Sequence, residues 1–265
     1  KKTYFTGGID SLDSDYASAF NYKIQALFFK LCYWVADSCI IVSQSDLKNI
    51  FKVSSLKKKL SYSEHVINTK LFIADVPKEK IFTSIVWMGD EGNVVRKGVD
   101  KALQIFAELK KIPEFVDYRF VIIGRKGEGE VLVRSIIDKY NLKGSVELKG
   151  EVSEEDKINL LKQSKYYFQL SLYEGFGLAA LEALCANNII IHSGKGGLAN
   201  PIYKEQLLFD IDNDFDSELL KLVNKLACFT PITSYDNLLE YYDIQRRKDD
   251  FEAIIVNGKS NYKLK

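Results

Sequence analysis

Two glutamates, Glu174 and Glu182, bracket the segment Glu174-Gly175-Phe176-Gly177-Leu178-Ala179-Ala180-Leu181-Glu182. It follows an apolar run, Tyr166-Tyr167-Phe168-Gln169-Leu170, and opens a helix of mostly Ala and Leu that leads into Ile189-Ile190-Ile191. A strand, a glycine turn and a buried helix direct the helix's free N–H groups and positive dipole end to the strand tips, where anions bind. Gly175 and Gly177 let a ligand approach the backbone closely. Glu182 falls about five residues into the helix, roughly 7–8 Å from its mouth. That distance suits a phosphate at the helix tip and a sugar hydroxyl further along a nucleotide. A carboxylate on an apolar helix is costly to bury alone, so Glu182 is expected to have a partner. The plain alternative is a buried helix whose two glutamates only cap or pair locally.

A second cluster, Arg96-Lys97-Gly98-Val99-Asp100, lies between a strand and a helix. Two cations at a strand's C-terminal end, beside a helix N-terminus, suit a diphosphate; an exposed basic turn would look the same. Gly124-Arg125-Lys126-Gly127-Glu128-Gly129 is another glycine-rich turn, but it lacks the Gly-x-Gly-x-x-Gly order, and no P-loop sequence occurs. Asp-x-Asp spacings occur in Asp13-Ser14-Asp15 and in the run from Asp210 to Asp216. The second run precedes a helix, where acidic residues cap the N-terminus, and no metal site is assigned to either.

From residue 81 onward, strands alternate with helices. The patterns predict strands over Ile81–Met88, Arg119–Ile123, Val146–Leu148, Tyr166–Leu170, Ile189–His192 and Leu207–Ile211. Between them fall helices over Val99–Lys111, Val131–Tyr140, from an N-cap at Ser153 to about Gln163, and from about Asp216 to Phe229. This alternation predicts an α/β fold, a doubly wound parallel sheet with helices on both faces. The first 70 or so residues read differently. They give a helix over about Tyr16–Ala36, one strand over Cys39–Ser43 and a short helix from Ser45. One strand makes no protected core, so an incomplete N-terminal domain is expected. Met88 is the sole methionine, and sequence before Lys1 is expected.

The composition fits a globular chain: 265 residues, 46% hydrophobic and 28% charged, with a formal net charge of +1. That charge gives no reason to expect nucleic acid as a partner. Cys32, Cys39, Cys185 and Cys228 are scattered in apolar surroundings and read as buried hydrophobes of a reducing compartment. His65 and His192 read as ordinary surface or core histidines. No apolar run approaches the ~20 residues of a membrane span.

The Glu-Gly-Phe-Gly-Leu start and Leu-Glu-Ala-Leu end of the first segment resemble the paired-glutamate signature of GT-B glycosyltransferases, in particular glycosyltransferase family 4. Ala36–Ser43 resembles the last strand of a GT-B N-terminal domain, and Val66-Ile67-Asn68-Thr69 with Phe72 resembles the passage into the interdomain linker. Lys97-Gly98 matches the family's Lys-Gly. Asp90 stands where an Arg is usual, Asn187 where a Gly ends the helix, and Asn200 where a Glu follows the glycine loop Gly194–Gly197.

The resemblance spans roughly residues 36–256 and is most specific over 81–200. It implies an N-terminal acceptor-side remnant and linker over 1–75, with the linker itself near Lys70–Glu79. A nucleotide-sugar-binding domain over 76–235 and a C-terminal helix and tail over 236–265 follow. The implied activity is transfer of a sugar from a nucleoside-diphosphate sugar to a glycan or glycolipid, with retention, in polysaccharide biosynthesis. Glu174 would contact the transferred sugar, and Arg96 and Lys97 the leaving diphosphate. Glu182 would hold the ribose, and Gly175, Phe176, Gly177 and Leu178 the phosphates. The turns at Gly124–Gly129 and Gly150–Val152 would border the nucleobase. No cofactor or metal is implied, and the expected place is the cytoplasm, with peripheral association at the inner membrane face. The rival reading is a non-catalytic glycosyltransferase-like binding subunit; a dehydrogenase ranks below it for want of the glycine fingerprint.

Overall fold

The computed structural model describes residues 3–5, 19–42, 60–73, 76–229 and 236–257. Two parallel sheets organise them. The larger has the order β6-β5-β4-β7-β8-β9, built from β4 (Glu79–Ile85), β5 (Arg119–Ile123), β6 (Val146–Gly150), β7 (Ser164–Gln169), β8 (Ile189–His192) and β9 (Leu207–Leu208). The chain runs from β4 outward to β6, returns to pair β7 with β4, and continues to β9 in the other direction. The order therefore reverses between β4 and β7. In open α/β sheets ligands bind at the carboxyl ends of strands flanking such a reversal.

Alternation along the strands divides two cores. Phe82, Phe120, Ile122, Tyr166 and Phe168 face one side, with Val99, Leu103 and Phe106 of α3 (Val99–Leu109), Val133 and Ile137 of α4 (Glu130–Lys139) and Leu222 of α7 (Phe215–Cys228). Phe82 stacks on Tyr166 at 4.6 Å and on Phe168 at 5.0 Å between centroids. Tyr167 and Ile190 face the other side, with Leu161 of α5 (Glu154–Gln163) and Ala180, Leu181 and Leu184 of α6 (Leu178–Cys185). Strands buried on both faces read as continuous apolar runs, and a doubly wound parallel sheet is the observed result.

Local chemistry sets the helix ends. Ser153 Oγ accepts from Asp156 N at 3.0 Å and starts α5, while Asp214 accepts from Ser217 N at 2.9 Å and starts α7. At the end of α6, Asn187 N bonds Leu184 O and Asn188 N bonds Ala183 O, both at 2.9 Å. This Schellman pattern holds Asn187 at φ 63°, the left-handed conformation that asparagine tolerates.

The N-terminal expectation of a single strand is corrected. β1 (Thr3–Phe5), β2 (Ser38–Ile41) and β3 (Leu60–Tyr62) form a parallel sheet in that order. Three-residue strands carry too short a pattern to register in a sequence. Ala26, Phe29 and Tyr33 of α1 (Ala19–Val35) pack on Cys39, Ile41 and Tyr62 of this sheet. The short helix expected from Ser45 and the Asp13-Ser14-Asp15 spacing lie outside the described residues. A short 3-10 helix, Thr69–Leu71, enters the expected linker, and β4 begins at its far end, at Glu79. Two helices, α8 (Asp236–Tyr241) and α9 (Ile244–Asn257), return the chain toward residues 63–69. Ile67 N bonds Tyr242 O at 3.0 Å, Thr69 Oγ1 bonds Asp243 at 3.1 Å and Ser63 Oγ bonds Asp250 at 3.1 Å. Cys39 and Cys185 are buried as expected, Cys32 is half-buried, and Cys228 is exposed on the last turn of α7.

Candidate functional site

The loops after β4 and β7 meet at the point where the strand order reverses. Leu172 N donates to Arg96 O at 2.8 Å, locking one loop to the other. Gly98 makes this approach possible: it adopts φ +69°, and a Cβ there would overlap Leu170 O. The result joins two residues far apart in sequence, with Lys97 Nζ lying 2.8 Å from Glu174 Oε2. Both side chains are largely buried, 22% and 16% exposed. The same Glu174 oxygen accepts from Gln169 Nε2 and Ser171 Oγ, each at 3.1 Å. Three donors on one carboxylate oxygen fix its position, and Lys97 supplies the charge that makes its burial tolerable.

Arg96 takes a different place from the one its spacing suggested. A helix absent from the sequence reading, α2 (Glu91–Arg96), lies between β4 and α3. Asp90, a departure from the expected Arg, is its N-cap and accepts from Asn93 N at 2.6 Å. Arg96 closes this helix and donates to Asn93 Oδ1 at 2.6 Å. Of the two expected cations, Lys97 is thus the one brought onto Glu174.

Gly177 starts α6 in the left-handed conformation, φ 86°, and no side chain caps the helix. The first-turn N–H groups at Leu178 and beyond therefore keep the donor capacity of a free helix end. Phe176 is buried and meets His65 edge-on at 5.2 Å. His65 Nδ1 lies 2.9 Å from Arg247 Nη1, and burial first, then this guanidinium, pushes its pKa down to about 4. The loop at Gly194–Gly197 closes over the turn: Gly197 N donates to Glu174 O at 2.5 Å, and a Cβ on Gly196 would overlap that carbonyl. Asn200, which replaces the expected Glu, is buried and donates to Glu64 Oε1 at 2.9 Å.

Glu182 has the partner its burial required. Lys157, on α5, reaches it at 2.9 Å, and both side chains are 16% exposed. Lys157 also pairs with Glu154 at 2.8 Å. Burial raises the Glu182 pKa despite the opposing pull of Lys157. Burial alone would lower that of Lys157, but the two carboxylates more than offset it and the value rises. Sequence reasoning missed Lys157 because the pair spans two helices, with no local spacing to mark it.

The Gly124–Gly129 turn owes its glycines to packing. Glu128 N donates to Gly89 O at 3.1 Å and Gly129 N to Met88 O at 3.2 Å, and side chains at Gly124, Gly127 or Gly129 would overlap the backbone of residues 86–90. Among the described residues no cluster of His, Cys, Asp and Glu is arranged to hold a metal ion, and no helix is long and apolar enough to cross a membrane.

A six-stranded parallel sheet with an uncapped helix at its reversal point is the architecture of a Rossmann-like domain of the GT-B glycosyltransferase fold. The family model described as "Glycosyl transferases group 1" matches residues 92–227, and the chain belongs to that family. It is 32% identical over 163 residues to GDP-mannose:cellobiosyl-diphosphopolyprenol alpha-mannosyltransferase of Xanthomonas oryzae pv. oryzae, covering 54% of this chain and 40% of that protein. It is 30% identical over 105 residues to a human phosphatidylinositol N-acetylglucosaminyltransferase subunit, covering 40% of this chain and 21% of that one. The chain therefore spans less than half the length of these curated relatives.

Among solved structures, HepE of Anabaena in complex with UDP-glucose superposes with a TM-score of 0.74 at 13% identity, over 96% of this chain and 72% of that one. Sucrose-phosphate synthase of Thermosynechococcus elongatus gives 0.69 at 21% identity, over 97% and 65%. These likenesses establish the shared fold.

Proposed function

We propose that the chain is the donor-binding part of a retaining family 4 glycosyltransferase that takes a nucleoside-diphosphate sugar. The observation that carries this reading is the convergence of Lys97 and Glu174, 2.8 Å apart, at the strand-order reversal beside the uncapped mouth of α6. In this reading the backbone N–H groups at Phe176–Leu178, at the mouth of α6, and the Lys97 ammonium stabilise the negative charge of the departing diphosphate, and Arg96 adds a second cation at the rim. Fixed donors and cations aimed at developing charge lower the barrier without reorganising. Glu174, held by Gln169, Ser171 and Lys97, presents its other oxygen to hydroxyls of the transferred sugar. Glu182, one turn further along α6, accepts from the ribose. No step needs a metal.

The names of the relatives favour a lipid-linked acceptor, a polyprenyl diphosphate glycan or a phosphatidylinositol, and with it work at a membrane surface. Residues 1–75 then belong to the acceptor side and residues 76–235 to the donor side. The second reading, a binding subunit without transfer activity, draws on Asn200, whose amide is committed to Glu64.

Thermal shift against UDP, GDP, ADP, their sugars and NAD, with and without EDTA, tests the donor-binding reading. Stabilisation by one nucleoside diphosphate and its sugar, unaffected by EDTA, is expected. Stabilisation by NAD alone, or binding that EDTA abolishes and a divalent ion restores, would overturn the proposal.

A further inference from the structure

The Lys157–Glu182 pair has more hydrogen-bonding capacity than the protein uses. Lys157 Nζ carries three N–H bonds; one goes to Glu154 Oε1 and one to Glu182 Oε1. Among the described residues the third meets no acceptor. Glu182 uses only Oε1, and its Oε2 meets no described donor. An unspent donor and an unspent acceptor thus stand side by side on two largely buried side chains.

The position of Lys157 also calls for a reason. It sits in the first turn of α5, whose N-cap is Ser153. A cation there opposes the helix dipole, and burying its ammonium adds a desolvation cost. Glu154 and Glu182 offset both. A neutral side chain at this position would have avoided the problem, provided Glu182 were not needed as a charged group.

We infer that Lys157 and Glu182 form a joint reader of the donor's ribose diol, with Lys157 the specificity-determining member; this rests on the donor-site reading above. Glu182 Oε2 accepts from one hydroxyl and the free N–H of Lys157 donates to the oxygen of its neighbour. A vicinal diol offers a donor and an acceptor on adjacent carbons and satisfies both protein groups. A deoxyribose leaves one of them buried and unpaired, the arrangement that discriminates most strongly against an analogue lacking a hydroxyl. Removing a lysine that merely neutralised Glu182 would cost the same hydroxyl that Glu182→Gln costs, whereas removing one that reads the neighbouring hydroxyl costs the other.

The test is calorimetric binding of UDP and GDP and of their 2′-deoxy and 3′-deoxy forms to the wild-type chain, Lys157→Met, Lys157→Arg and Glu182→Gln. Circular dichroism and thermal melting verify the fold of each. For whichever base binds, wild type should prefer the ribonucleotide over each deoxy form by about tenfold or more. Lys157→Met should reduce the preference at one of the two hydroxyl positions to within about threefold and Glu182→Gln the preference at the other, while Lys157→Arg, which keeps a donor, should retain part of what Lys157→Met loses. A Lys157→Met chain that binds more weakly but keeps the wild-type preference, or that loses it only at the position Glu182→Gln loses, overturns the inference. If only Glu182→Gln loses the preference, the donor-site reading stands and the role given to Lys157 falls. If wild type binds none of the ligands, or Glu182→Gln changes no affinity, the donor-site reading fails, and this inference with it.

Discussion

Removing Lys97 should expose how Glu174 is kept buried and charged. The pair is 2.8 Å apart with side chains 22% and 16% exposed. Breaking a fully buried pair costs about 3–5 kcal/mol, and an exposed one about 0–1 kcal/mol. Glu174 keeps Gln169 and Ser171 as neutral donors at 3.1 Å, so Lys97→Met should fall between these limits, at about 2 kcal/mol. Adding Glu174→Gln removes the stranded charge while leaving an amide oxygen for the same donors. The double variant should therefore recover to within about 1 kcal/mol of wild type. Binding should not recover with it, because the double variant lacks the cation proposed to face the diphosphate. Affinity for a nucleoside diphosphate should stay about tenfold or more below wild type, with little change for the nucleoside. Urea denaturation followed by tryptophan fluorescence gives the stabilities, and calorimetry the affinities. A Lys97→Met loss under about 0.5 kcal/mol would mean the pair behaves as a solvated one. A double variant no more stable than the single one would refute the argument from the stranded charge.

Gly196→Ala should be far more destabilising than Gly144→Ala: both sit at positive φ, +57° and +83°, but a Cβ at 196 overlaps Glu174 O while one at 144 meets nothing within 4 Å. The second should lose about 1–2 kcal/mol from backbone strain alone, and equal losses in urea titrations would show that the glycine loop does not press on the Glu174 turn. His192 is buried with Nε2 3.2 Å from Tyr203 O, and burial pushes its pKa from 6.5 down to about 4. Its folded pKa lies below its unfolded one, so stability is complete above pH 6.5 and is lost as pH falls toward 4, by up to about 3 kcal/mol. His65 titrates with the same sign, so His192→Gln should remove only part of the difference between urea midpoints at pH 7 and pH 4.5. A pH profile unchanged by that substitution would contradict the assignment.

The parallel sheet was legible because its strands are buried on both faces: Tyr166–Leu170 and Ile189–His192 could be read as continuous apolar runs. Helix ends marked by local chemistry were legible too, at Ser153 and at Asn187. The helix at Glu91–Arg96 was not, since Gly92 and Asn93 are poor helix formers and Asp90 drew attention as a missing Arg when it is the N-cap. That misreading is what left Arg96 assigned to a bare strand-to-helix turn.

Glu174 and Glu182 were singled out by residue type and spacing, and Lys97 by its place before Gly98. Their partners were not, because those contacts are tertiary. Lys157 lies 25 residues from Glu182 and Lys97 lies 77 from Glu174, and only the return of the chain from β6 to β7 brings each pair together. Cys228 was read as buried because its neighbours are apolar, yet it falls on the solvent side of α7.

The central claim is that α6 is the donor-binding helix, with its mouth on the phosphates and Glu182 on the ribose. Its most direct test is calorimetric titration of the nucleoside diphosphate selected by thermal shift into the wild-type chain and into Glu182→Ala, with melting curves verifying that both are folded. A carboxylate accepting from a hydroxyl contributes about 1.5–3 kcal/mol, so affinity should drop roughly tenfold or more. A folded Glu182→Ala chain that binds the nucleotide as tightly as wild type would place the donor elsewhere and contradict the account.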